Sequence, residues 1–557
     1  MKGVLKVGLC ALPVLGGCLD KDTGKDDAFE RLRQEAVNRP RTILWDDDGC
    51  DMSFYPFGRK DLADKTISPE NFEAVFLDAV KGTKVDTITY STVFGFGYFT
   101  ASRAGNFNTS DMDHTGPNNP WVNASKQFVE KFGKDALDLA TEFAHRNGKE
   151  MFLSLRFNDN HDAGSSWDKR NNLFSPFKSE HPGCMVGVKP ASRGKSSGWT
   201  GEDFGGNPCC GWSAADFTKE KTRDFCRGYI REFCENYDLD GILFDFFRHV
   251  QLFRSVAWGG RASEEELGTM TDLMADLRGI ADEVGKKRGR PFVLAMRVPD
   301  SVDYCWAIGI DLKTWLARKV VDFVVVGGYF QMEPWSISAE LVHGYGMKCY
   351  ASLDESRIKS VKGARLLPGR DDVPCWLARA AAAVAQGMDG VIYFNFEYYN
   401  HRVQQQVLSL QPRDLDGVDK LYFATYTGGG GYLPRHFLVG GDEFWKLGGL
   451  NPSKPVKLAA GGRHAFDLPI GDDFAVWRAK GKEPKLVVKL LTDARYFSDI
   501  EAMTVNGVRI RLETLKDGVF TGEVAPSAMS KGVNKVAVCA AAAVTLHDFS
   551  LSVAVTR

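Results

Sequence analysis

The chain has 557 residues, 44% of them apolar and 12% aromatic, with 70 basic side chains against 72 acidic ones. A net charge of −2 without any long basic run excludes a binder driven by nucleic-acid electrostatics, and so much apolar content excludes a disordered chain. At about 100–200 residues per domain the length asks for two to four domains, or fewer if one is an α/β barrel.

In chain order, Lys2 and Lys6 precede a short apolar run from Val7 to Leu15, the layout of a secretory signal and too short to span a bilayer. Leu15-Gly16-Gly17-Cys18 resembles a bacterial lipoprotein processing site. The expectation is a signal peptide over 1–17, acylation of Cys18, and a polar tether over 18–40 that includes DKDTGKDD. The protein would then be exported to the cell envelope as a lipoprotein, or otherwise secreted, with the lipid its only membrane contact. Among the 12 cysteines, Cys184, Cys209 and Cys210 fall in one irregular insert where a disulfide would serve an exported chain. Cys226, Cys234, Cys305 and Cys349 lie in apolar contexts and read as buried thiols.

From 41 to 411, short β-rich apolar runs alternate with amphipathic stretches, which predicts parallel strands covered by helices. Eight strands are predicted: 42–45, 85–89, 150–155, 241–245, 292–296, 321–326, 348–352 and 390–394. In FTKEKTRDFCRGYIREFCEN, Phe225, Tyr229, Ile230 and Phe233 share one helical face. The helix over 264–287 opens with Ser263 and Glu266 in capping-box spacing. Eight strands with intervening helices make a (β/α)8 TIM barrel the expected fold. A doubly wound sheet would want a Gly-rich phosphate turn after its first strand, where this chain has the acidic DDDGCD. The long insert from Asn158 to Asp216 is expected to shape the cleft. Ala380 to Ala383 reads as a close-packed helix. Over 412–557, alternating runs such as KLVVKLL and AMTVNGVRI, punctuated by Asn506-Gly507 and Asp517-Gly518, predict an all-β sandwich of jelly-roll type. Gly428 to Gly431 reads as a connector, because no phosphate-loop Lys-Ser/Thr follows it.

In such a barrel the functional groups stand at the C-terminal strand ends, and here those ends are rich in carboxylates. Strand one is followed by Asp46, Asp47, Asp48 and Asp51, strand three by Arg156, Asn158, Asp159, His161 and Asp162, and strand four by Asp245 and Arg248. Arg297, Asp300 and Asp303 follow strand five, Tyr329, Glu333 and Trp335 strand six, Asp354 and Glu355 strand seven, and Asn395 and Glu397 strand eight. Asp245 stands out as a carboxylate closing a strand buried on both faces, where an unneeded charge is costly.

The stretch YDLDGILFDFFRHV, Tyr237 to Val250, resembles the fourth-strand motif of bacterial glycosyl-hydrolase-like barrels related to family 10. VDFVVVGGYF, Val321 to Phe330, resembles their sixth strand, which closes with a Tyr. VNGVRI, GVFTGEVAP and KGVNKVAV resemble the last strands of galactose-binding-like jelly rolls, often appended to carbohydrate enzymes, which leaves open whether the sandwich binds carbohydrate. The likeness covers about half of 41–411 and implies a glycosidase or close relative acting on a polysaccharide or glycoconjugate, with no cofactor and no nucleic-acid partner.

Glycoside hydrolysis needs one protonated and one ionised carboxyl group flanking the bond. Asp245 is the expected ionised group, with Arg248 pairing it, and Glu355 the expected acid, followed by Glu333 and then Asp354. Asp47, Asp48, Arg156, Asn158, Asp159, His161, Arg248, Arg297, Tyr329, Trp335, Asp354, Asn395 and Glu397 are expected to hold substrate. Aromatic residues near the strand ends, including Trp45, Trp212, Trp258 and Trp306, could stack on sugar rings.

Three other readings remain. The carboxylates could serve a carbohydrate-binding protein without catalysis. ILWDDDG resembles the opening motif of metal-dependent polysaccharide deacetylases, but no two of the ten His residues lie within five positions of each other. RFNDNHD could hold a divalent cation through Asp159, His161 and Asp162, although such a cluster is more often a substrate-binding loop, and no metal is assigned. Acyl-transfer chemistry lacks a GxSxG elbow.

Overall fold

A computed structural model describes residues 23–49, 68–94, 96–98, 127–164, 174–187, 211–354, 364–397, 399–425, 433–451 and 454–556. Its first eight long strands are β1 (Ile43–Asp47), β2 (Thr87–Phe94), β3 (Glu150–Arg156), β4 (Gly241–Asp245), β5 (Val293–Val298), β6 (Phe323–Val326), β7 (Lys348–Leu353) and β8 (Gly390–Phe394). Each pairs in parallel with the next, and β8 pairs with β1 through Ile43 and Val391, so the sheet closes as the expected (β/α)8 barrel. The strands are near-continuous apolar runs because both faces are buried, one by the barrel interior and one by the helices.

Inside, Leu44, Phe152, Leu243, Ala295, Val325 and Ile392 form an apolar plug in the lower barrel. Residues 23–38, read above as part of a tether, are instead a helix, Thr23–Asn38. Its Ala36 and Val37 pack against the plug, and its Phe29 is buried. An open barrel bottom would leave that apolar layer wet, so local polarity yields to tertiary burial.

On the outer wall, the helix Glu220–Asn236 buries Cys226, Tyr229, Ile230 and Phe233. It packs against the helix Glu264–Arg288, whose predicted capping box is formed: Glu266 N–H donates to Ser263 Oγ at 3.2 Å, and Ser263 N–H to Glu266 Oε2 at 2.8 Å. Cys226, Cys234, Cys305 and Cys349 are buried free thiols, as is Cys184, while Cys209 and Cys210 lie outside the described residues. No described helix is long and apolar enough to cross a membrane.

The C-terminal strands are all antiparallel and form two sheets, one built around Pro484–Thr492 and Val544–Val555, the other around Arg463–Ile470 and Gly532–Ala540. Phe466, Leu468 and Ile470 from one sheet meet Leu486, Val488, Phe549 and Leu551 from the other in a single core, giving the expected sandwich. The helix Val373–Ala385 joins it to the barrel. Ala378 and Ala382 enter the sandwich core, and Ala380, Ala381 and Ala383 the barrel core. Only small side chains permit this approach, since a Cβ on Gly471 would stand 2.4 Å from Ala381. A buried ion pair, Arg370 to Asp548 at 2.9 Å, crosses the same junction.

Within 412–557, residues 433–447 do not join the sandwich. Phe437, Leu438, Phe444 and Trp445 pack on the barrel core, Tyr304 donates to Pro434 O at 3.1 Å, and Gln251 donates to Phe437 O at 2.7 Å. A chain ending at residue 411 would lose this cover and expose Ala378 and Ala382. It is expected to melt at a lower temperature than the full chain and to bind a hydrophobic dye; equal melting temperatures would refute the mutual support.

Candidate functional site

Because inward positions alternate along each strand, the layer above the plug comes from residues two further on: Asp46 after Leu44, Asp245 after Leu243, Arg297 after Ala295 and Phe394 after Ile392. Asp245 and Arg297 are direct neighbours in the β4–β5 register. Arg297 donates through Nε to Asp245 Oδ1 at 3.0 Å, through Nη2 to Asp245 Oδ2, and through Nη1 to Asp46 Oδ2 at 3.1 Å. Its guanidinium lies over the Phe394 ring at 3.9 Å. Burial alone would lower the pKa of Arg297, but Asp245 and Asp46 hold it above the ordinary arginine range. Burial raises the Asp46 carboxyl, against Arg297 and the Thr89 hydroxyl that donates to it.

Asp245 also accepts the N–H groups of Phe247 at 2.9 Å and Arg248 at 3.2 Å. Its charge partner is therefore Arg297. Arg248 contributes its backbone, and its guanidinium instead touches His161 Nε2 and lies 5.0 Å from the centre of the Tyr329 ring.

Above this layer the chain leaves β1 through Asp47, Asp48 and Gly49. Gly49 has φ +71°, and a Cβ there would fall 1.6 Å from Ser91 O, so only glycine fits the turn. Arg156 bridges Asp48 at 3.3 Å and Asp159 at 3.8 Å. Asp159 holds His161 Nδ1 at 2.7 Å, with His249 Nδ1 at 3.8 Å. Burial opposes the Asp159 charge, yet these imidazoles and Arg156 bring its carboxyl well below the usual range. Burial and then the Arg248 charge push His161 down to about 4, and the same two causes hold His249 well below the ordinary imidazole range.

On the opposite side, Glu397 follows β8. Both of its carboxyl oxygens are buried and make no hydrogen bond among the described residues. Burial, then the charges of Asp48 and Asp47, hold this carboxyl well above the usual range. Asn395, just before it, takes a left-handed backbone conformation with φ +54°. Asp354 is buried at the end of β7, near the buried Ser352 hydroxyl on the same inward row.

Other expected site residues have structural work. Asn158 donates to Ala215 O at 2.9 Å and accepts Ala215 N–H at 2.8 Å, pinning the insert. Asp162 pairs with the buried Lys178 at 2.9 Å and accepts from Ser213, while burial lifts its carboxyl to about 6. Glu333 is tied to Lys446 of the returning segment at 2.7 Å, and its N–H donates to Asp300, which burial lifts to about 7. Trp45, Trp212 and Trp335 are buried in the protein core, whereas Trp258 and Trp306 are exposed. Glu355 lies outside the described residues. His249 and the tie from Asp46 to Arg297 were missed in the sequence. The only local signal for His249 was its place directly after Arg248 at the end of the fourth-strand motif.

No protein-family model matches the sequence, and no curated protein matches it. Solved structures show a distant likeness. A family 18 N-acetylglucosaminidase from Paenibacillus barengoltzii aligns at 11% identity and TM-score 0.35 over 66% of this chain and 99% of its own. An alpha-L-fucosidase isoenzyme 2 from Paenibacillus thiaminolyticus aligns at 11% and 0.38 over 69% and 52%. A family 18 chitinase from Chromobacterium violaceum aligns at 10% and 0.33 over 92% and 88%. The protein is thus a TIM barrel with appended β-sheets, distantly similar to glycoside hydrolase barrels and without a family assignment. At these scores the likeness carries nothing about substrate or mechanism.

Arg297→Met would leave Asp46 and Asp245 buried without a counter-charge and is expected to cost about 3–5 kcal/mol in urea unfolding. Arg297→Lys restores the charge but not the fork that spans both acids, so it should recover only part. An unchanged urea midpoint in Arg297→Met would contradict the central role of this ion pair.

Proposed function

We propose that the protein is a glycoside hydrolase in which Glu397 donates the proton to the leaving oxygen and Asp48 is the ionised partner. The observation that supports this reading is the state of the Glu397 carboxyl group: its two oxygens are buried and have no side-chain hydrogen-bond partner among the described residues, and burial, Asp48 and Asp47 hold it above the usual carboxyl range. A carboxyl group kept protonated beside an ionised one is the division of labour that glycoside hydrolysis requires. Arg156 at 3.3 Å positions Asp48. Asp245 serves in this reading as a positioning residue, because Arg297 and two backbone N–H groups already occupy its oxygens.

The test is reducing-end release from a broad panel of polysaccharides and glycoconjugates, with acetate release measured in parallel. Glu397→Gln is expected to retain the fold and lose at least about a hundredfold in rate. An acid must be protonated to donate, so parental activity should fall as pH rises through the elevated Glu397 pKa, and that alkaline limb should vanish from the residual rate of the variant. Asp48→Asn should lose activity comparably. Glycan binding without release would make the protein a carbohydrate-binding one, and acetate as the sole product would make it a deacetylase.

The exported, lipid-anchored location belongs to the same proposal. Residues 1–22 lie outside the described residues, so it rests on the Lys2/Lys6, apolar run and Leu-Gly-Gly-Cys pattern. Cys18→Ser should shift the protein from the membrane to the soluble fraction; an unchanged distribution would refute acylation at Cys18.

A further inference from the structure

We propose that Asp159, His161 and His249 form a site for one divalent cation of the zinc class at the β3–β4 side of the barrel mouth, independently of the glycosidase reading. One ligand atom from each of the three lies within 4.8 Å of the others. The two imidazole rings are 5.0 Å apart and nearly perpendicular, and the Nδ1 atoms of His161 and His249 lie 2.7 and 3.8 Å from Asp159 Oδ2. Asp159 and His249 are buried, and His161 is half-buried.

The ligands stand on anchored backbone. Asp159 follows Asn158, whose amide is bonded to Ala215 and Gln251, and its own carboxylate accepts the His161 N–H at 3.0 Å. His249 lies four residues beyond Asp245, whose carboxylate fixes the turn by accepting two backbone N–H groups. One carboxylate oxygen and two imidazole nitrogens suit borderline ions such as Zn2+ and Co2+ better than Ca2+ or Mg2+, and leave positions open for water or ligand oxygens.

Arg248 competes for the site. Its Nη2 touches His161 Nε2, and a cation held by His161 requires this guanidinium to withdraw toward the Tyr329 ring, already 5.0 Å away. The cation and the Arg248–His161 contact are therefore alternatives, so loss of Arg248 should favour the ion.

The experiment takes the full chain, strips it with chelator, and measures Zn2+ and Co2+ binding by equilibrium dialysis with elemental analysis. The Co2+ absorption spectrum reports the ligands. One tightly bound ion per chain is expected. His249→Gln and Asp159→Asn should each weaken it at least tenfold, and Arg248→Met should tighten it severalfold. His464→Gln, a change in the sandwich, should leave binding as in the parent. Failure of the parent to bind either ion, or retention of full affinity in a folded His249→Gln protein, would overturn the proposal. If His249→Gln does not fold, the parent Co2+ spectrum decides, and a spectrum without nitrogen ligation overturns it.

Discussion

The Arg297 guanidinium, buried between Asp46 and Asp245 and lying over Phe394, sets the height at which the barrel interior changes from apolar to polar. Taking a guanidinium out of water costs several kcal/mol, and only close hydrogen bonds to both carboxylates offset that cost. The three residues come from β5, β1 and β4, so the pairing holds only when all three strands present the correct face inward. A slip of one residue in any of them would turn a charge toward the apolar helices. The floor of the candidate site and the register of the barrel therefore depend on the same contact.

From that floor upward, the acids divide by what surrounds them. Asp245 and Asp46 are saturated by Arg297, Asp162 by Lys178 and Ser213, and Glu333 is tied to Lys446. Those pairs hold the insert, the strand-six loop and the returning segment in place around the mouth. Glu397 differs, because desolvation and neighbouring acids favour its protonated form. The same low dielectric that makes the ion pairs strong favours the neutral form of a carboxyl group set among other acids.

The sandwich contributes to the barrel more than a sequential appendage would. Its first strand, Lys420–Phe423, is followed by a segment that returns over Phe330 and Tyr304 before the chain enters the remaining sheets. The alanine-rich helix Val373–Ala385 belongs to both cores, since methyl groups allow close approach on two sides. Burial of this kind makes the two parts depend on each other.

Much of the fold was legible in the sequence. The eight strands were visible because burial on two faces demands unbroken apolar runs, and Ser263 with Glu266 marked a helix start through local hydrogen bonding. The strand-end positions of Asp48, Arg156, Asp159 and Glu397 followed from barrel geometry alone. The helix at 23–38 was hidden because its polar surface outweighs the few residues that seal the barrel bottom. Which acids are consumed could not be read locally: Arg297 meets Asp46 across 251 positions, and Arg248 reaches His161 across 87. Barrel, sandwich and acidic rim are written in periodicity and turn chemistry, which act over a few residues. Which charges neutralise one another emerges only in the folded chain, because Coulomb forces and desolvation depend on distance in space.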